Sequence, residues 1–193
     1  TPEDVRMSLL FTPIDLDGRT IRNRLWVAPM CQYSAQDGIP NDWHHVHLAQ
    51  FASGGAGVVI AEATAVTPEG RISPEDVGLW NDAQRDAWAP IAAAIRARGA
   101  LPGIQLAHAG RKASTWSPFA GHRGSVPEAD GGWQTVAPSA VAFDGFAEPV
   151  ALDHQRVRRA ARHRQCINRP RDLARVLLFL REAHEVLLVR DRH

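Results

Sequence analysis

Short apolar runs alternate with amphipathic segments along the first hundred residues, and this alternation predicts the fold class. Apolar residues dominate Arg24–Pro29, Gly57–Ala63 and Leu101–Ala107, and each run has the length of a buried strand. Between them, residues 43–53 and 82–98 repeat apolar positions at helical spacing, for example Trp88, Ile91 and Ile95. The predicted order is therefore strand, helix, strand, helix, strand.

Polar and glycine positions set the predicted boundaries of these elements. Asn41-Asp42 and Asn81-Asp82 carry side chains that cap helix amino termini. Glycines at 54, 55 and 99 end the two helices. The glycines of Ser53–Gly57 precede a strand, whereas a dinucleotide-binding fingerprint follows one, so we interpret them as a helix stop. Ahead of the first strand, Leu9–Ile21 is typical of a hairpin, with Asp17-Gly18 as its turn.

Strands that alternate with helices pair in parallel through right-handed crossovers. This pattern is compatible with a doubly wound sheet or with the start of an eight-stranded α/β barrel, and periodicity alone leaves both open. Polar groups follow each predicted strand, in Ala28–Tyr33, Glu62–Ala65 and Gln105–Lys112. Because carboxyl ends of parallel strands lie at one edge and bind ligands there, three such ends favour a barrel mouth.

Composition places the chain among globular proteins with one sizeable core. The chain has 193 residues, of which 45% are hydrophobic and 22% charged. Its two cysteines, Cys31 and Cys166, have no metal-binding or disulfide spacing, and no apolar run is long enough to cross a bilayer. We therefore expect a cytoplasmic protein without a membrane partner.

A break in composition near residue 152 predicts two unlike parts. Residues 153–193 hold 11 of the basic residues against five acidic ones, whereas all 15 glycines and all six tryptophans precede them. We expect residues 1–152 to be a folded α/β unit and residues 153–193 to be an arginine-rich, helical tail.

Several ordered motifs give the first 152 residues a family resemblance. They are Asn23-Arg24, Ala28–Tyr33, Asn41–Ala49, Gly54–Gly57, Glu62–Val66, Gly70–Ser73, Gln105–Lys112 and Ala137–Ala140. Together they resemble the amino-terminal part of the Old Yellow Enzyme family of NADH:flavin oxidoreductases and NADPH dehydrogenases, nearest the xenobiotic reductase-like branch. The resemblance implies a TIM barrel of the FMN-linked type, represented here by roughly its first three strand-helix units.

The resemblance also implies an activity. NADPH or NADH would reduce FMN, and the flavin would reduce a small α,β-unsaturated carbonyl compound or a similar oxidant, in the manner of an ene-reductase. It implies no nucleic-acid partner, and a homo-oligomer if the full barrel forms.

Particular residues take family roles through the matching motifs. The resemblance implies that FMN contacts Ala28, Pro29, Met30, Cys31, Ala63 and Gln105. The Cys31 thiol would tune the flavin from its reactive edge, although a free cysteine is also commonly a small buried hydrophobe. Gln105 carries both a donor and an acceptor, which suits the pyrimidine edge of the ring, and a glutamine can also cap a loop.

Other polar residues near these motifs allow more than one interpretation. Tyr33 would hydrogen-bond a substrate carbonyl, or be a half-buried aromatic with a wet hydroxyl. Ion pairs that hold a loop explain His108, Arg111 and Lys112 slightly better than flavin contacts do. The histidines at 44, 45 and 47 indicate packing and capping rather than a metal site, since no carboxylate or cysteine near them in sequence completes a ligand set.

The tail departs from the family pattern. The family's His-x-x-His or His-x-x-Asn pair should fall near residues 182–185, where this chain has Glu182-Ala-His184-Glu185, so no catalytic residue is assigned. Later strands and their phosphate-binding loops are also missing from a fold that needs roughly 250 residues. We expect a reading-frame change near Leu152, which the nucleotide sequence would reveal. The alternatives are an inactive barrel remnant and a basic-tailed binding protein for an acidic partner.

Overall fold

The computed structural model describes residues 8–16 and 18–153, together with the backbone of residues 187 and 188. Its strands are β1 (Ile14–Leu16), β2 (Arg19–Ile21), β3 (Trp26–Val27), β4 (Val58–Ala65), β5 (Leu101–Ala107), β6 (Val136–Ala137), β7 (Val150–Ala151) and β8 (Leu187–Leu188). Its helices are α1 (Asp42–Ser53) and α2 (Asp82–Ala97), with 3-10 turns at Leu9–Phe11, Pro68–Gly70, Gly110–Lys112 and Glu128–Asp130.

The central sheet is parallel, with the strand order β3-β4-β5-β8. Helices α1 and α2 make the two crossovers between β3, β4 and β5. The predicted order of strand, helix, strand, helix, strand is therefore confirmed. Within the described residues the sheet is open, so the barrel that the sequence predicts is represented by neighbouring strands and not by a closed ring.

Capping residues fix both helix starts, as the sequence predicts. The Asn41 side chain accepts from the Trp43 amide at 3.0 Å, and the Asn81 side chain accepts from the Gln84 amide at 3.1 Å. At the other end of α1, Gly54 is the capping residue and Gly55 adopts a φ of 102°, a left-handed backbone conformation that favours glycine. The interpretation of this glycine-rich stretch as a helix stop is confirmed.

Apolar side chains from β4 pack on both faces of the sheet. On the helix side, Val59 and Ala61 lie in the main core, together with Leu48, Ala52, Trp88, Ile91, Ile95 and Ile104. On the opposite face, Val58 and Ile60 pack with Ile21 of the hairpin. Hairpin strands β1 and β2 pair as predicted, with Ile14 opposite Ile21. A central strand buried on both faces is typical of a parallel sheet.

Burial of the first strand differs from the prediction. The sequence predicts a buried strand over Arg24–Pro29, whereas β3 has only two residues, and Leu25 and Trp26 are 43% and 38% exposed. The reason is position, because β3 lies at the edge of the described sheet and pairs with β4 alone. Hydrophobicity by itself does not reveal which strand lies at an edge.

The prediction of a helical tail is wrong at two residues, which form a strand. Leu187 and Leu188 pair in parallel with Gly103 and Ile104 of β5, so this short piece extends the sheet. The rest of the predicted tail, residues 154–186 and 189–193, lies outside the described residues. No helix in the described part is long and apolar enough to cross a membrane.

Arg22 ties the two helices to the strands at the end of the sheet remote from the strand carboxyl ends. Its guanidinium donates to the backbone oxygens of Ala52 and Ala56 at 2.8 and 2.7 Å. It also donates to the Arg98 oxygen at 2.8 Å, just beyond α2. Cations near helix carboxyl termini satisfy free carbonyls and favour the helix dipole, so this contact fixes how both helices enter the next strand.

Candidate functional site

The carboxyl ends of three adjacent strands form the candidate site. Residues 28–33 leave β3, Ala63 lies near the end of β4, and Gln105 lies in β5. Ala63 and Gln105 are directly opposite one another in the ladder between β4 and β5. The parallel order places these three segments side by side, which is the arrangement that the sequence predicts.

A bulge in β4 sets the direction of the side chains at this edge. The register between β4 and β5 shifts between Ala61 and Ala63, so Glu62 is an extra residue in the strand. Glu62 is buried and accepts a hydrogen bond from the Gln32 amide at 3.0 Å. The bulge therefore places a carboxylate behind the loop that follows β3. No local sequence signal predicts it.

Cys31 lies in the loop that follows β3, beside carboxylates from β4 and from the loop after it. Its side chain is half-buried, and the pKa of its thiol rises to about 11. Loss of hydration is the main cause, and the carboxylates of Asp76 and Glu62 add to it. The three side chains have ligand atoms within 4.8 Å of one another. At neutral pH Cys31 is therefore a thiol and not a thiolate.

Asp76 belongs to this group, and sequence reasoning missed it. One of its carboxylate oxygens accepts from the amides of Ile72 and Ser73 at 2.9 and 3.2 Å, and the other accepts from the Ser73 hydroxyl at 3.2 Å. Burial nevertheless raises the Asp76 pKa to about 6, with a contribution from the Glu62 charge. The spacing Ser73-x-x-Asp76 is typical of a turn in which the Asp side chain bonds to the preceding backbone. It does not indicate that the Cys31 thiol lies nearby.

Tyr33 ends the segment that follows β3, and its backbone has a left-handed conformation with a φ of 50°. Its half-buried ring packs edge to face on Phe119, with the ring centroids 6.0 Å apart. Burial raises the pKa of the Tyr33 hydroxyl, which keeps it protonated at neutral pH. Within the described part of the chain this hydroxyl has no hydrogen-bond partner, so it is available as a donor.

Gln105 presents an unused amide at the same edge. Its side chain is half-buried, and none of the described residues makes a hydrogen bond to it. The amide is not fully buried, so solvent still reaches it. A ligand that offers both a donor and an acceptor can take the place of this solvent. The loop-capping alternative for Gln105 has no support among the described residues.

The remaining polar residues of the β5 loop hold the loop in place. Arg111 donates to the Ser139 hydroxyl at 3.3 Å, and the Lys112 ammonium lies 3.8 Å from the centre of the Phe143 ring. The His108 Nδ1 accepts from the Gly110 amide at 3.1 Å. The loop-holding interpretation fits these contacts, but within the described chain neither Arg111 nor Lys112 uses an ion pair.

The histidines of α1 have separate structural roles. His44 completes the capping box, since its Nδ1 accepts from the Asn41 amide at 3.1 Å. The ring of His47 stacks on Trp43 and meets Phe51 edge to face. The fold also brings the Glu62 carboxylate within 3.4 Å of the His44 Nε2. Glu62 is 18 residues away, so only the packing of α1 on β4 reveals the contact.

Comparison with known proteins now defines the class. Residues 9–158 match the NADH:flavin oxidoreductase / NADH oxidase family, and the chain belongs to this family. Members of this family are oxidoreductases that use a flavin with a nicotinamide reductant.

Two curated relatives show how much of the family's length is represented. The chain is 46% identical over 143 residues to an NADH:flavin oxidoreductase of Gibberella zeae, covering 73% of this chain and 35% of the relative. It is 43% identical over 155 residues to an NADPH dehydrogenase of Listeria welshimeri, covering 79% of this chain and 41% of the relative. The chain therefore spans about two fifths of the length of these relatives.

Solved structures agree with the family assignment. An Old Yellow Enzyme homologue from Zymomonas mobilis superposes with a TM-score of 0.69 at 32% identity, covering 89% of this chain and 46% of the other. Morphinone reductase in complex with tetrahydroNAD superposes with a TM-score of 0.69 at 26% identity, and the match covers 92% of this chain and 48% of the reductase. The fold of the described part is thus that of a portion of an Old Yellow Enzyme-type barrel.

Proposed function

We propose that this chain supplies the flavin-binding wall of an FMN-dependent NAD(P)H oxidoreductase of the ene-reductase type. FMN, when bound, accepts hydride from NAD(P)H and passes it to an activated alkene or a similar small oxidant. The observation that carries the proposal is the unpaired Gln105 amide opposite Ala63, at the edge where three strand ends meet.

The residues at this edge fit a flat, partly polar ring. Ala28 and Met30 are exposed, Met30 by 51%, and Pro29 and Ala63 are half-buried, so they offer apolar surface for stacking. The Gln105 amide supplies the donor and acceptor that a pyrimidine edge requires. The neutral Cys31 thiol supplies a weak donor at the ring's other edge.

Tyr33 completes the proposal on the substrate side. Its hydroxyl is protonated at neutral pH and has no partner among the described residues, so it can donate to a carbonyl oxygen. Such a bond orients the substrate and stabilises negative charge that develops on the oxygen. No acid or base for the alkene carbon is assigned to this chain.

Visible absorbance of the purified chain tests flavin binding first. We expect the 193-residue chain to bind added FMN with a perturbed flavin spectrum, and the bound flavin to bleach when NADPH is added without oxygen. Reoxidation by 2-cyclohexenone in the same cuvette would support the ene-reductase step. A chain that leaves the spectrum of free FMN unchanged would contradict the proposal at its first step.

A Tyr33→Phe variant separates the substrate role from flavin binding. We expect unchanged FMN affinity and a tenfold or larger loss in the rate of flavin reoxidation by the enone, since one hydrogen bond to a developing charge is removed. Phe119→Leu, which changes the ring's neighbour but keeps the hydroxyl, serves as the control. Equal reoxidation rates in the Tyr33→Phe variant and the parent would remove Tyr33 from the proposal.

A further inference from the structure

A buried acidic pair lies beside the Cys31 thiol, and the proposed function does not use it. Glu62 and Asp76 are 3% and 1% exposed, and their carboxylates and the Cys31 sulfur lie within 4.8 Å of one another. The carboxylates come from different elements, the β4 bulge and the loop that follows β4. Two charges in this position need a reason, because burying a carboxylate is costly.

The pair is held rigidly by contacts of its own. Glu62 accepts from the Gln32 amide and lies 3.4 Å from the His44 Nε2, while both oxygens of Asp76 accept bonds from Ile72 and Ser73. These contacts keep the carboxylates close to the sulfur and stabilise their charge. A thiolate formed at Cys31 would then be a third negative charge in the same buried space.

We propose that Glu62 and Asp76 act together as positioning residues that keep Cys31 in its neutral, hydrogen-bond-donating thiol form. At a separation below 5 Å in a poorly hydrated site, repulsion between like charges is strong. The pKa of Cys31 is raised mainly by loss of hydration and further by the charges of both carboxylates, in agreement with this arrangement. The effect on a bound flavin rests on the proposed function, whereas the protonation state of Cys31 does not.

Other groups from neighbouring segments also face the Cys31 sulfur or the two carboxylates. The Ala63 backbone lowers the Cys31 pKa and so opposes the carboxylates, and the Tyr33 hydroxyl stays protonated beside the sulfur. Arg71 lies near enough to Asp76 for their charges to interact, and His44 faces Glu62. At the sulfur, loss of hydration raises the pKa of Cys31 most, and the two carboxylates raise it further.

A neutral thiol has two consequences for chemistry at this edge. It can donate a hydrogen bond to an acceptor on a bound ring, which a thiolate cannot do. It is also a poor nucleophile, because the thiolate is the form that alkylating agents and peroxide attack. The acidic pair therefore protects the thiol from alkylation and oxidation, and it keeps the thiol a hydrogen-bond donor.

Alkylation of Cys31 by iodoacetamide tests the proposal without any flavin. All variants carry Cys166→Ser, so that Cys31 is the only thiol. In this background we expect the pH profile of the rate to have its midpoint well above that of the same chain in guanidinium chloride. Equal midpoints in the folded and denatured chain, with the fold verified by near-ultraviolet circular dichroism, would overturn the proposal.

Removing the charge of one carboxylate should increase the fraction of Cys31 that is present as thiolate. We expect Glu62→Gln and Asp76→Asn each to speed alkylation at pH 8 by roughly tenfold, and the double variant by more. Glu62→Asp, which keeps the charge, should stay close to the parent. Glu69→Gln removes an exposed carboxylate from the same loop and is the matched control.

Folding is checked on the same samples. A variant whose profile equals that of the denatured chain and whose tryptophan dichroism is lost has unfolded, and the carboxylate variant that remains folded then decides the proposal. Folded Glu62→Gln and Asp76→Asn variants that react within twofold of the parent would show that the carboxylates do not control the thiol. Failure of FMN binding would leave this result unaffected, so the two proposals fail separately.

Discussion

At the scale of single residues, the site consists of groups whose usual partners are missing or unusual. Gln105 lacks a hydrogen-bond partner among the described residues, Cys31 has a pKa of about 11, and Asp76 has a pKa of about 6. Residues perturbed in this way gather where a protein binds ligands or performs chemistry. The sequence motifs identify Gln105 and Cys31, but they do not show that Asp76 and Glu62 surround the thiol.

The role of Gln105 can be tested by substitution. We expect Gln105→Ala to weaken FMN binding by about tenfold, which corresponds to one or two hydrogen bonds of about 0.5–1.5 kcal/mol each. Fluorescence quenching of FMN during titration measures the affinity. Gln36→Ala, at an exposed glutamine, is the control and should bind FMN like the parent. Equal affinities for Gln105→Ala and Gln36→Ala would remove Gln105 from the flavin site.

At the scale of elements, the backbone just before β4 lies very close to the segment that joins β2 to β3. A Cβ added at Gly57 would lie 2.6 Å from the backbone oxygen of Asn23 and 2.9 Å from a methyl carbon of Ile21. Gly54, three residues earlier, has its nearest such contact at 3.4 Å. The two glycines look alike in the sequence, yet only Gly57 touches another segment closely.

This difference gives a matched pair of variants. We expect Gly57→Ala to lower the free energy of unfolding by about 1–3 kcal/mol, because the Asn23 backbone must move to admit the methyl group. Gly54→Ala should change it by less than about 1 kcal/mol. Guanidinium denaturation followed by tryptophan fluorescence compares them. A Gly57→Ala variant as stable as Gly54→Ala would mean that the hairpin adjusts without cost.

At the scale of the whole molecule, the described residues form an open sheet whose two edges differ. Edge strand β3 leaves Trp26 38% exposed, whereas β5 is flanked by the short strand β8 from the arginine-rich segment. Unpaired strand edges favour association between molecules. Whatever lies beyond the described residues, these two edges are where the sheet can be extended.

The pairing of β8 with β5 can be tested directly. We expect a Leu187→Pro/Leu188→Pro double variant to exchange amide hydrogens faster over Gly103 and Ile104, because proline cannot donate to the ladder. Hydrogen exchange measured by mass spectrometry reports on this segment. An Asp191→Pro variant, outside the paired residues, is the control. Unchanged exchange in the double variant would show that the two-residue pairing does not protect β5.

Most of the local structure could be predicted from the sequence, because it depends on neighbours along the chain. The cap at Asn41 and the helix stop at Gly54 are confirmed, since each concerns a side chain or a backbone angle within a few residues. Strand burial was harder to predict. Trp26 belongs to an apolar run, but its exposure depends on how many strands flank it.

By itself the sequence determined the order of elements, the family and the residues that gather at the strand ends, because periodicity and motifs are properties of the chain. Only the tertiary structure decided that Glu62 bulges out of β4, that Asp76 returns to the same point, and that both lie beside Cys31. The physical reason is that a ladder register and a loop's return are set by packing between distant segments. Charges that meet only through the fold have no pattern along the chain.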